Sequence, residues 1–272
     1  MTLLPDAEPL SLPARPDLTG GRRVGVLLSH GFTGQPSSMK PWGRFLAQQG
    51  YAVEVPRLPG HGTRWQDLNA TTWDDWLGEL SARYAALRAE NDAVVLAGLS
   101  MGGALVLRLA ADHAGPDGPA GVIVVNPAVS TKRLDVRLLP VLKHLVPSFP
   151  GIAGDIKREG VSENGYDRTP LRAAHSMMQA WGPLRADLPR ITAPLLYLRS
   201  TVDHVVDDSS EPLIVGGVSS TDVSVVRLTN SYHVATLDHD DERIHHGSAA
   251  FIARVAGLAS EADAPTDSDT TS

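Results

Sequence analysis

The chain has 272 residues, 42% of them hydrophobic and 20% charged, with a formal net charge of -7 at pH 7. This length suits one large core carrying an insertion, and the acidic balance, with no basic stripe to neutralise phosphates, argues against a nucleic-acid partner. With no cysteine, neither a disulfide framework nor a thiolate metal site is available.

The N-terminal segment MTLLPDAEPLSLPARPD is acidic and punctuated by proline. It has no apolar block of signal-peptide length, so the chain is expected to be cytoplasmic. Six short runs rich in Val, Ile and Leu then recur as candidate strands: 24–29 (VGVLLS), 51–56 (YAVEVP), 93–98 (AVVLAG), 121–126 (GVIVVN), 194–199 (PLLYLR) and 223–228 (VSVVRL). Most lack polar alternation, the signature of parallel strands covered on both faces.

Helical patterns alternate with them. PSSMKPWGRFLAQQG closes on Gly50 and MGGALVLRLAADHAG on Gly115. Between them, Trp73, Trp76, Leu77, Leu80, Tyr84 and Leu87 recur at helical spacing behind a Thr71 or Thr72 cap. The rhythm predicts an α/β fold with a mostly parallel, doubly wound sheet. Residues 127–193 break it: RLDVRLLPVLKHLVPSFPG and LRAAHSMMQAW read as helices flanking an irregular piece, too much chain for a simple crossover. Residues 128–182 are therefore expected to form a cap over the carboxyl edge of a core built from 1–127 and 183–258. Beyond a last helix at about 240–257, residues 259–272 are acidic, lack apolar anchors and are expected to be a disordered tail.

The chemistry concentrates in GLSMGG, residues 98–103, between a strand and a helix. Gly-x-Ser-x-Gly in that setting is a nucleophile elbow: Ser100 occupies a strained turn, and Gly98, Gly102 and Gly103 supply clearance. An activated serine needs a base and a group to orient it. Among ten histidines, His233 has the right place, in the loop between the last strand and the last helix. His30 falls too early and reads as a loop hydrogen-bonder; His113, His239, His245 and His246 read as helix-surface residues. Asp203, just past the strand 194–199, is the expected acid, while Asp207 and Asp208 are better placed to cap a helix near Ser209. The Phe32 and Met101 amides are the expected oxyanion donors, and the loop 57–64 with His61 is expected to shape the rim. His204 beside Asp203 lacks a plausible third ligand, so neither a metal nor a cofactor is expected.

The segments LLSHGFTGQPSSM, PRLPGHGT, AGLSMGGAL, GIAGDIKREGV, DHVV and NSYHVATLD resemble the bacterial monoacylglycerol lipase and carboxylesterase family of the α/β-hydrolase superfamily, over residues 22–256. The resemblance implies an α/β-hydrolase fold with an inserted lid and a Ser100, Asp203, His233 triad. It also implies an oxyanion hole from Phe32 and Met101, and Glu159 of the GDIKREGV segment as a contact for glycerol hydroxyls. The expected reaction is hydrolysis of monoacylglycerols to glycerol and fatty acid, with a short- or medium-chain carboxylesterase or a non-catalytic binding member of the fold as alternatives. The apolar residues Leu134, Val136, Leu138, Leu139, Val141, Leu142, Leu145 and Val146 exceed one helical stripe. Some are expected to line an acyl tunnel and others to touch a lipid surface, in a monomer or a homodimer; the alternative is that all of them pack within the cap.

Overall fold

Every one of the six apolar runs is a strand in the computed structural model, which describes residues 2–151 and 154–258. The tail 259–272 lies outside the described residues. The elements follow in the order β1 (Leu10–Leu12), β2 (Val24–Ser29), α1 (Lys40–Gln48), β3 (Ala52–Val55), α2 (Trp65–Leu68), α3 (Trp73–Glu90), β4 (Ala93–Leu99), α4 (Met101–Asp112) and β5 (Gly121–Val125). They continue with α5 (Leu139–Leu145), β6 (Ser148–Pro150), β7 (Arg168–Pro170), α6 (Leu171–Asp187), β8 (Leu195–Ser200), α7 (Ser210–Val215), β9 (Val223–Leu228) and α8 (Asp241–Val255).

The main sheet has the order β1-β3-β2-β4-β5-β8-β9, parallel throughout except for β1, which runs antiparallel to β3. Alternate residues of a central strand bury into opposite layers: Val94 and Leu96 pack into the layer with α3 and α4, and Val95 and Ala97 into the layer with α1 and α8. That double burial is why the strand runs show no polar alternation. Thr72 supplies the N-cap of α3, its N–H donating to Asp75 Oδ2 at 2.8 Å, and Gly50, at φ +97°, turns the chain after α1 into β3.

Register decides where the chemistry gathers. Ser29 lies opposite Gly98, Leu99 opposite Val125, and Ser200 opposite Leu228. The loops leaving β2, β4, β5, β8 and β9 therefore emerge at one edge, the carboxyl edge of the sheet.

Between β5 and β8 lie α5, the β6–β7 hairpin and α6. This stretch is joined to the sheet layers more closely than a free-standing cap. Helix α6 runs past residue 182, through Pro183, to Asp187, because Trp181 and Leu184 bury in the same cluster as α4. The two three-residue strands of the hairpin and β1 are too short to carry a period. No helix among the described residues is long and apolar enough to cross a membrane.

Candidate active site

Ser100 follows β4 directly and has φ +55° and ψ -119°, a conformation that costs a non-glycine residue about 1–3 kcal/mol. Its backbone pays for nothing alone: the Ser100 N–H donates to the Val125 carbonyl at 2.9 Å, and its own carbonyl accepts Ala128 N–H at 3.2 Å. The neighbouring glycines are obligatory. A Cβ on Gly98 would sit 2.3 Å from the Gly102 carbonyl oxygen, and one on Gly102 would sit 2.2 Å from that of Ser29.

The loop after β2 comes up beside the serine, where a Cβ on Gly31 would lie 3.3 Å from Ser100 Cβ. No backbone carbonyl among the described residues accepts the N–H of Phe32 or of Met101. Met101 opens α4, so its amide is one of the helix's free first-turn donors and lies at the positive end of its dipole.

His30 holds this loop from behind. Its Nδ1 lies 3.0 Å from the Gly31 carbonyl oxygen, its Nε2 accepts Leu58 N–H at 3.3 Å, and its ring meets His61 edge-on at 4.8 Å. Complete burial pushes the His30 imidazole down to about 4, and burial pushes His61 well below the usual histidine range. Both rings are neutral at pH 7 and serve packing. The loop 57–64 thus braces the Phe32 loop through Leu58 and His61, which is itself buried.

Asp203 and His233 are brought together, with His233 Nδ1 donating to Asp203 Oδ2 at 3.0 Å. This leaves Nε2 of the neutral ring as its acceptor. His233 and Ser100 line one cavity. Asp203 has no exposed side-chain surface. Burial raises its carboxyl, but the hydrogen bond and charge of His233 and the N–H groups of Val206 and Val205, both 2.9 Å from Oδ1, hold it below the usual carboxylate range. Of the two acids expected to cap α7, Asp207 accepts Ser209 N–H at 2.9 Å and also Lys132 N–H at 2.6 Å, tying the start of the insertion to the Asp203 loop.

His233 is also held through both of its backbone groups. Its N–H donates to Asp155 Oδ2 at 3.1 Å, and its carbonyl accepts Asn126 Nδ2 at 2.8 Å. Asn126, at φ +45°, ends β5 and also accepts Ser200 N–H at 2.9 Å. Asp155 takes His204 N–H at 3.1 Å on the same oxygen, and its backbone carbonyl accepts Val234 N–H at 3.0 Å. Buried Asp238 completes the attachment by accepting the N–H groups of Lys157, Arg158 and Tyr232 at 2.7, 3.0 and 2.9 Å.

Glu159, the glycerol contact that the resemblance implies, stands away from the cavity. It is exposed, because the bonds from Lys157 and Arg158 to Asp238 fasten the chain just before it to the outside of the histidine loop. The carboxylates that line the cavity are Asp155 and Glu163. Glu163 is buried, and burial raises its carboxyl above the usual range against the opposing hydrogen bond from Gly154 N–H, 3.1 Å from Oε1. The rest of the lining is largely apolar, with Val136, Met177, Met178, Trp181 and Val206.

The family described as serine aminopeptidase S33 matches residues 21–240. The chain is 39% identical over 249 residues, 92% of its own length and 98% of the other's, to the thermostable monoacylglycerol lipase of Bacillus sp. (strain H-257). The chain belongs to this family. It is also 26% identical over 240 residues to the carboxylesterase of Bacillus subtilis (strain 168), covering 87% of this chain and 94% of that one. A solved structure from LipS and LipT, two metagenome-derived lipolytic enzymes, superposes with a TM-score of 0.86 at 39% identity, covering 93% of this chain and all of that one. Its fold is that of the α/β hydrolases.

In this S33-family chain the elbow, acid loop and histidine loop stand out in sequence because each follows a strand. Asp155, Glu163, Asn126 and Arg199 carry no such mark. Asn126 gave one usable signal, an asparagine at a strand end, where left-handed backbone is most tolerated.

Proposed function

We propose that the protein is a serine hydrolase that cleaves monoacylglycerols, with Ser100 as nucleophile, His233 as general base, Asp203 as its orienting acid, and the Phe32 and Met101 amides as the oxyanion hole. The observation that carries the substrate is the lining of the cavity: Ser100 and His233 share it with the buried Glu163 carboxyl and with apolar Val136, Met177, Met178 and Trp181. One acyl chain lies against the apolar side chains, and a glycerol head with two hydroxyls finds a hydrogen-bond partner in Glu163. The monoacylglycerol lipase relative, which the chain matches almost end to end, supports the same substrate.

His233 Nε2 takes the Ser100 proton as Oγ bonds to the ester carbonyl carbon, and the two amides receive the developing oxyanion, each worth about 3 kcal/mol. The intermediate expels glycerol, protonated by His233, and leaves an acyl-enzyme. Water, deprotonated by the same ring, then releases the fatty acid and restores Ser100.

The cap of this reading comprises α5, the β6–β7 hairpin and the first turns of α6. Leu139, Leu142 and Val146 pack against α6, whereas Leu138 and Leu145 are 61% and 74% exposed, with Leu134 and Val141 equally open. That outer stripe is the surface through which the cap touches lipid. A panel of mono-, di- and triacylglycerols of one acyl length tests the proposal. Cleavage is expected to fall steeply from the first to the last; equal rates would make the protein a general lipase, and preference for short aryl esters a carboxylesterase.

A further inference from the structure

Arg199, one residue before the end of β8, reaches the triad acid from inside the protein. Its Nη1 donates to Asp203 Oδ2 at 2.7 Å, the same oxygen that accepts His233 Nδ1 at 3.0 Å. Its Nη2 donates to the Val206 carbonyl at 2.7 Å, and Nη1 also lies 3.4 Å from Asn126 Oδ1. The Arg199 and Asp203 side chains are 9% and 0% exposed, so water does little to screen the pair.

Keeping Asp203 ionised does not require this arginine, because His233 and the Val205 and Val206 amides already favour the carboxylate. Orienting it does not either: Oδ1 is pinned by those two amides and Oδ2 by the imidazole. What Arg199 adds is a permanent positive charge on the oxygen that must stabilise an imidazolium during turnover. We propose that Arg199 acts through Asp203, partly neutralising it, so that His233 releases its proton readily to the leaving alcohol and remains a free base to lower pH. The proton passes from Ser100 Oγ to His233 Nε2 and on to the departing oxygen; Arg199 neither gains nor loses one.

The proposal rests on the Ser100, Asp203, His233 reading. The other charged groups nearby are constant across the test. Asp155 binds the His233 and His204 backbone amides and the His204 ring, and Glu163 and Arg133 line the same cavity. On the far side, near Tyr197, Glu211 and Arg227 pair with each other.

The experiment measures kcat/KM for a short p-nitrophenyl ester, and the rate of inactivation by a fluorophosphonate, from about pH 5 to about pH 9. It uses the full chain and its Arg199→Met, Arg199→Gln and Arg199→Lys variants, each checked for folding by circular dichroism. In the two neutral variants the acid limb is expected to move up by about one pH unit in both readouts, while Arg199→Lys keeps the wild-type limb. A folded neutral variant with an unmoved or lowered limb, or a lysine variant displaced as far as the neutral ones, overturns the proposal. So does failure of both neutral variants to fold, which would make the pair a folding element. A Ser100→Ala variant still modified by the fluorophosphonate would instead remove the triad reading itself.

Discussion

The carboxylate of Asp155 accepts the backbone N–H of His233 at 3.1 Å, so a residue inserted between β5 and β8 fixes the position of the proposed base. The same oxygen holds His204 N–H, next to Asp203, which ties the acid and histidine loops together. Asp155→Ala removes the one oxygen that accepts both N–H groups. Its kcat is expected to fall about tenfold to a hundredfold with KM nearly unchanged, because a small displacement of the base is costly in rate. Steady-state kinetics on one ester decide it, and unchanged kcat would reduce Asp155 to a surface staple.

Glycines of the elbow and of α3 make opposite forecasts. Gly102→Ala drives a Cβ to 2.2 Å from the Ser29 carbonyl oxygen and is expected to cost more than about 2 kcal/mol. Gly78, within α3 and exposed, has nothing within 4 Å of an added Cβ, so Gly78→Ala is expected to stabilise by about 0.5–1 kcal/mol through helix propensity. Urea denaturation reads both, and a tolerated Gly102→Ala would contradict the tight elbow.

The two candidate glutamates separate on substrate. Glu163→Gln is expected to lower kcat/KM about tenfold for a monoacylglycerol and much less for an aryl ester of equal chain length, since only the glyceride brings hydroxyls to pair. Glu159→Gln is expected to change neither. Equal losses on both esters for Glu163→Gln would assign Glu163 to holding Gly154 alone.

Acid stability follows from the buried histidines. His30 is held at about 4 when folded and titrates near 6.5 when unfolded, so between those values the unfolded chain binds more protons. Stability therefore falls as pH drops from about 6.5 to about 4, by about 3 kcal/mol from His30, and His61 acts in the same direction. Chemical denaturation across that range should show the slope, shallower in His30→Gln. An equal slope in the variant would place the proton uptake elsewhere.

Lipid contact is read on vesicles. Replacing exposed Leu138 and Leu145 together by serine is expected to weaken co-sedimentation with phosphatidylcholine vesicles at least about tenfold. Activity on a dissolved short-chain ester should stay close to wild type. Undiminished sedimentation would remove the outer face of α5 from the lipid contact.

The local rules were legible in the chain. Continuous apolar runs announced buried parallel strands, and three elbow glycines around one hydroxyl announced a strained nucleophile. Strand-end positions singled out Asp203 and His233, now joined at 3.0 Å. Each of these features depends on residues close together in sequence or on the alternation of strand and helix. The partners of the site do not. Glu163 lies in an irregular stretch with no period, and only its burial beside Ser100 and His233 in one cavity distinguishes it from exposed Glu159 four positions earlier. Arg199 and Asn126 sit within or beside strands that read as plain scaffold, yet fold against the acid and the base. Which charges end up buried together is set by the register of the sheet and by how the 154–158 segment docks on the histidine loop, and these are long-range contacts that no local pattern encodes.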